Sequence, residues 1–166
     1  SYLSDYSLHV WRTGLYGMTD DDYGRWIGNF GFDFGFSGDD KMNSAADTTF
    51  VKFTANATRV QRLFSRSMGV IRVGGQYSPN NLFAAEQMQL GGPYTLRGYQ
   101  PAEIIGDYGV SGTIEYRTPI PFLDRVWPWL DDRLRFAVFY DWGWIGTNNN
   151  AYSYPCSFLH SVGFGG

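Results

Sequence analysis

Few side chains in this sequence have the types and spacing that catalysis or metal binding requires. The two histidines, His9 and His160, are isolated, and neither belongs to a set of residues at metal-ligand spacing. Ser37 lies in GFSGD and Ser111 in GVSGT, and neither fits the G-x-S-x-G turn that carries a hydrolase nucleophile. We therefore predict no catalytic residue, no metal and no cofactor, and hence a protein that is not an enzyme.

The charged side chains instead alternate with apolar ones along the chain. In residues 134–144, Phe136 and Tyr140 lie on one side of an extended chain, and Asp141 lies on the other. Strict alternation of this kind indicates a β-strand with two different faces. Any chemistry of the carboxylates therefore depends on strands that hold them on one common face.

Seven segments carry this alternation, and no segment has a convincing helical period. They are longer than the ~5–6 residues of a usual soluble strand. They are also long enough for a tilted membrane strand, which needs ~9–11 residues. The predicted strands are residues 6–16, 23–36, 50–64, 68–77, 108–118, 134–144 and 157–165.

The connections between these strands alternate in length. Residues 37–48, 78–107 and 148–155 form long polar or Gly/Pro-rich loops, whereas 17–22 and 65–67 form short turns. Long loops on one side and short turns on the other are typical of outer-membrane barrels. Residues 119–132 break the rule, being long where a short turn is expected.

The composition agrees with the wall of a transmembrane β-barrel. Hydrophobic residues are 43% and aromatic residues 19%, yet the mean hydropathy is −0.29, so apolar residues are diluted among polar ones. The net charge of −3 and the lack of a basic stripe argue against nucleic-acid binding.

The alternation assigns each face of the wall. We expect one set of residues to face lipid, namely Phe30, Phe32, Phe34, Ile114, Tyr116, Phe136, Val138 and Tyr140. We expect a second set to face the lumen, namely Arg25, Asp33, Lys52, Arg72, Glu115, Arg135 and Asp141. A soluble β-barrel that binds a ligand remains an alternative, because it alternates too but turns its apolar face inward.

An ordered set of motifs follows the fourth predicted strand. The set consists of LGG at 90–92, LRGY at 96–99, GDYG at 106–109, Glu115, and FYDWG at 139–143. In this order and spacing it resembles the outer-membrane transporters of two-partner secretion, the haemolysin-activator type. That family belongs to a wider superfamily, which includes the insertases of outer-membrane proteins, so an insertase is a further alternative.

The resemblance implies an all-β antiparallel transmembrane barrel in the bacterial outer membrane. Residues 1–166 would be the C-terminal portion, with about seven of a probable sixteen strands and an inward-folding loop at about 78–107. The implied function is translocation of a large unfolded exoprotein through the barrel. The implied partners are that polypeptide client, outer-membrane lipids, and the remaining barrel strands or another chain.

The resemblance also implies a latch between the loop and the barrel wall. The latch residues at the loop tip would be Arg97, Gly98 and Tyr99, and their partners on the strands would be Asp141, Phe139 and Glu115. The alternation supports this independently, because Glu115 and Asp141 both fall on the polar side of consecutive strands.

Overall fold

The computed structural model describes residues 8–37, 46–64, 66–120, 134–148 and 156–165, and its regular elements there are all β-strands. Among the described residues, no helix is long and apolar enough to cross a membrane. The strands are β1 (Leu8–Asp21), β2 (Gly24–Ser37), β3 (Thr49–Arg62), β4 (Met68–Tyr77), β5 (Met88–Leu90), β6 (Ile104–Gly106), β7 (Tyr108–Pro119), β8 (Arg135–Gly146) and β9 (Cys156–Gly165).

Seven of the strands form one antiparallel sheet in the order β1-β2-β3-β4-β7-β8-β9. Each strand pairs with its neighbour along the chain, apart from the step from β4 to β7. The described strands leave the sheet unclosed, with β1 and β9 at its edges. This is the all-β antiparallel architecture that the alternation predicts, it is consistent with the partial barrel that the resemblance implies, and the seven predicted strands are confirmed.

Two details of the strands differ from the sequence prediction. β1 and β2 stay paired as far as Asp21 and Gly24, so the turn is confined to residues 22 and 23 rather than 17–22. The sequence prediction also missed β5 and β6, which pair within the loop at 78–107. Three residues are too few to show a period, so only the folded loop reveals these strands. The connections predicted at 37–48, 119–132 and 148–155 lie mostly outside the described residues.

The two faces of the sheet differ sharply. The apolar face is exposed, with Phe30, Phe34, Ile114 and Val138 all open. Of the other residues expected there, Tyr116, Phe136 and Tyr140 are exposed and Phe32 is partly buried. A soluble barrel would bury this row inside, so the exposed apolar face argues against that alternative.

The opposite, polar face carries all seven residues expected on it, as the cross-strand register and the alternation require. The inserted segment (residues 78–107) lies against this face. Its apolar side chains form two separate clusters with the sheet. One consists of Phe50, Leu82 and Phe83, and the other of Leu90, Leu96 and Ile145. The core of this structure therefore lies between the inserted segment and the sheet.

Candidate functional site

The tip of the inserted segment (residues 91–99) is a tight turn whose shape depends on glycine. Gly91, Gly92 and Gly98 have φ values of 111°, 95° and 92°, which residues with a Cβ rarely adopt. The Gly92 amide donates to the Tyr99 carbonyl at 3.2 Å, and the Thr95 hydroxyl donates to the Gly91 carbonyl at 2.8 Å. These bonds close the turn and project Arg97 toward the polar face.

Arg97 lies between two carboxylates of neighbouring strands. Its Nε and Nη2 donate to the two oxygens of Asp141, each at 2.8 Å, so the guanidinium binds that carboxylate in a bidentate manner. Its Nη1 donates to Glu115 Oε2 at 2.7 Å. The backbone N–H of Arg97 also donates to Asp141, at 3.1 Å. One loop residue therefore joins the segment to both β7 and β8.

The charges at this site are balanced and largely removed from solvent. Asp141 has no exposed surface, Glu115 is 3% exposed, and the Arg97 side chain is 28% exposed. Arg117 of β7 binds the second oxygen of Glu115, so two arginines neutralise two carboxylates. Hydrogen bonding to Asp141 raises the pKa of Arg97 further above its already high ordinary value, so the guanidinium stays charged.

The F-x-D-x-G motif of β8 places three residues on the polar face, because its positions alternate. The Phe139 ring packs under the guanidinium, with its centroid 3.4 Å from Arg97 Cζ. A Cβ at Gly163 of β9 would overlap that same ring, so glycine there leaves room for it. Asp141 supplies the carboxylate that Arg97 binds.

Gly143 makes the third contribution of the motif. A Cβ at this position would lie 2.7 Å from Leu90 Cδ1 and 3.0 Å from Leu96 Cδ1. Glycine at this position therefore leaves room for Leu90 and Leu96, which have no exposed surface. The sequence analysis placed Gly143 in a motif but gave it no role, and only the packed loop reveals one.

The remaining predicted latch residues surround Arg97. Gly98 takes the positive φ that turns the chain after Arg97, and a Cβ there would meet nothing within 4 Å. Tyr99 packs against the cluster of Leu90, Leu96 and Ile145, and its hydroxyl donates to the His160 carbonyl at 3.0 Å. The structure therefore brings together all six residues of the predicted latch.

Sequence reasoning missed the role of Asp107, which lies in the GDYG motif at the end of the inserted segment. Its carboxylate is 1% exposed and accepts four hydrogen bonds. The donors are the Leu82 amide at 2.8 Å, Gln87 Nε2 at 3.1 Å, the Thr147 hydroxyl at 2.9 Å and the Asn148 amide at 2.8 Å. Asp107 thus ties both ends of the inserted segment to the end of β8.

This arrangement holds the inserted segment against the sheet. Within the described ranges, no group of three or more His, Cys, Asp or Glu residues could hold a metal ion. A polar pocket of about 440 Å³ lies beside the tip, and its lining includes Arg72, Tyr94 and Arg117.

No curated protein matches the chain significantly. One family model, described as haemolysin secretion/activation protein ShlB/FhaC/HecB, matches residues 2–166. That description names the secretion and activation of haemolysin, and it favours the transporter over the insertase. Because the match spans nearly the whole chain, this protein belongs to the ShlB/FhaC/HecB family of two-partner secretion transporters.

Proposed function

We propose that the chain forms part of the wall of an outer-membrane channel through which a large unfolded exoprotein is secreted. On this proposal residues 1–166 are the C-terminal portion of a larger barrel, which we expect to have sixteen strands. The apolar face contacts outer-membrane lipid, and the polar face lines the lumen. The edges of β1 and β9 pair with further strands, since an unpaired backbone group in hydrocarbon costs several kcal/mol.

The inserted segment is the closure of this channel, and Arg97 is its latch. The observation that carries the proposal is the position of Arg97, which binds Asp141 and Glu115 from a segment folded onto the polar face. A client chain needs the space that this segment occupies, so the segment must move during transport and must return to one defined position afterwards, which the contacts of Arg97 set. No covalent bond changes during this process.

The proposal is tested by client secretion from bacteria that carry Arg97→Ala. We expect secretion to be abolished or strongly reduced, while the barrel still migrates as a folded, heat-modifiable band after extraction from the outer membrane. Arg72→Ala is the matched control, because Arg72 is on the same face and no ion pair is described for it. Normal secretion by Arg97→Ala would refute the latch, and equal losses in both variants would show that any lost cation on this face has the same effect.

A further inference from the structure

A second group of charges, three of them buried and one, Arg12, exposed, attaches the inserted segment to the other half of the sheet. Arg12, Asp33 and Lys52 are successive register partners on β1, β2 and β3, so they form one row across the polar face. Glu86, from the first half of the inserted segment, lies against this row. These four residues are the Glu86 cluster.

Glu86 contacts both cations of the cluster. Its Oε2 lies 2.5 Å from Lys52 Nζ, and its Oε1 lies 2.5 Å from Arg12 Nη2. Asp33 completes the row, with its Oδ2 3.2 Å from Lys52 Nζ and 3.5 Å from Arg12 Nε. The Glu86 carbonyl also accepts a hydrogen bond from Gln76 Nε2 at 3.0 Å. Both the side chain and the backbone of Glu86 are therefore tied to the sheet.

Losing one of these contacts is costly, because two of the side chains are buried. The side chains of Glu86 and Lys52 are only 7% and 9% exposed, so water cannot readily replace a lost partner. With Glu86 in place, two cations and two carboxylates balance. Without it, Asp33 alone faces both Lys52 and Arg12, and a buried cation loses its nearest partner.

The Glu86 cluster is separate from the Arg97 site in three respects. Lys52 and Asp141 lie on strands three positions apart in the sheet, which corresponds to about 14 Å at the usual strand spacing. Each site adjoins its own apolar cluster, the first around Phe83 and the second around Leu96. The polarity is also reversed, because the segment supplies an anion at Glu86 and a cation at Arg97.

We propose that Glu86 is a second ionic anchor of the inserted segment, which releases from Lys52 and Arg12 independently of the Arg97 latch. The segment then leaves the polar face only when both anchors and the hydrogen bonds of Asp107 have opened, so a partly detached state exists in which one anchor is open and the other remains bound. The inference rests on the proposed function in treating the segment as a channel closure, but the anchor itself is a property of the protein without client.

Hydrogen exchange on the purified, membrane-inserted protein tests the anchor. In Glu86→Gln we expect amides 82–90 to exchange at least about tenfold faster, equivalent to about 1.4 kcal/mol, while amides 91–99 stay unchanged. The amides of residues 86 and 87 are suitable reporters, because both donate to the Phe83 carbonyl. Glu103→Gln is the matched control, since Glu103 is an exposed carboxylate of the same segment for which no ion pair is described.

A charge exchange separates an ionic anchor from a merely structural residue. Glu86→Lys alone and Lys52→Glu alone each unbalance the cluster, and both should speed exchange of amides 82–90. The double exchange restores the net charge and the attraction between positions 86 and 52, but it places a lysine beside Arg12 and a glutamate beside Asp33. Its exchange rate should therefore lie between that of the parent and that of the faster single variant. A double variant no better than the worse single one would overturn the proposal.

Two further results would also overturn it. One is Glu86→Gln exchanging at the same rate as Glu103→Gln, which would mean that Glu86 holds nothing. The other is equal acceleration of amides 82–90 and 91–99 in Glu86→Gln, which would mean that the segment has a single attachment. The exchange experiment contains no client. If the parent protein failed to secrete its client in a separate assay, that would count against the proposed function and would leave the exchange result intact.

Discussion

Removing the Arg97 side chain should loosen the tip of the inserted segment by about two orders of magnitude. The change deletes three charge-assisted hydrogen bonds, each worth about 1.5–3 kcal/mol net. Asp141, with no exposed surface, would keep only the residue-97 amide and the Thr113 side chain as donors. Breaking a buried pair costs about 3–5 kcal/mol. Arg97 is partly exposed, so we take the lower end, about 3 kcal/mol, or roughly 10²-fold.

The same reasoning predicts strong coupling between Arg97 and Asp141. Asp141→Ala removes the partner of two guanidinium bonds and leaves Arg97 bound to Glu115 alone, so it should cost nearly as much as Arg97→Ala. The double variant should be little worse than either single one, because the two residues act as a unit. The expected coupling is about 2–3 kcal/mol, at the upper end for residues in contact.

Hydrogen exchange of amides 92–97 in the inserted protein measures this cycle, with Arg72→Ala as the control. Gly92 and Thr95 report directly, because their amides donate within the tip. Client secretion by the same three variants should follow the same non-additive order. Strictly additive losses, or an unchanged exchange rate in Arg97→Ala, would refute the claim that Arg97 and Asp141 hold the tip together.

Three further changes test the packing around the site. Gly143→Ala should weaken docking of the segment by about 1–3 kcal/mol, because its Cβ would press on Leu90 and Leu96, and unchanged exchange of amides 88–96 would contradict this. Asp107→Asn should lower the free energy of unfolding of the inserted barrel by about 1–3 kcal/mol, because its amide NH₂ would face two hydrogen-bond donors. An unchanged melting temperature would argue against the role of Asp107. Val138→Arg should cost about 2–4 kcal/mol if Val138 faces lipid near the midplane, measured by unfolding in lipid vesicles, and a neutral effect would reverse the assignment of faces.

The sequence alone was sufficient for the seven strands of the main sheet and their faces. Period-2 alternation is a local property, because neighbouring side chains of a strand always point to opposite sides. The positions of Glu115 and Asp141 on one face follow from that rule, because each falls on the polar side of its own strand. The ends of the strands were less well predicted, as in β1, where polar residues continue the ladder to Asp21.

Motif resemblance added the pairing of Arg97 with Asp141, which no local pattern could give. The two residues are 44 positions apart, and their contact depends on the path of a 30-residue loop. Alternation restricts a strand residue to one of two faces, but it says nothing about where a loop residue lies. The resemblance supplied that path for the loop tip, Arg97, Gly98 and Tyr99, and for no other part of the loop.

Only the tertiary structure decided the rest of the attachment. Lys52 and Asp33 were expected on the polar face, but nothing in the sequence indicated that Glu86 would meet them there. The sequence also gave no indication of the four donors to Asp107 or of the packing of Leu90 and Leu96 against Gly143. Such contacts join residues that are distant in the chain, and they form only after the sheet and the inserted segment have packed together. The strand pattern therefore specified the sheet, whereas packing on its polar face specified how the inserted segment is held.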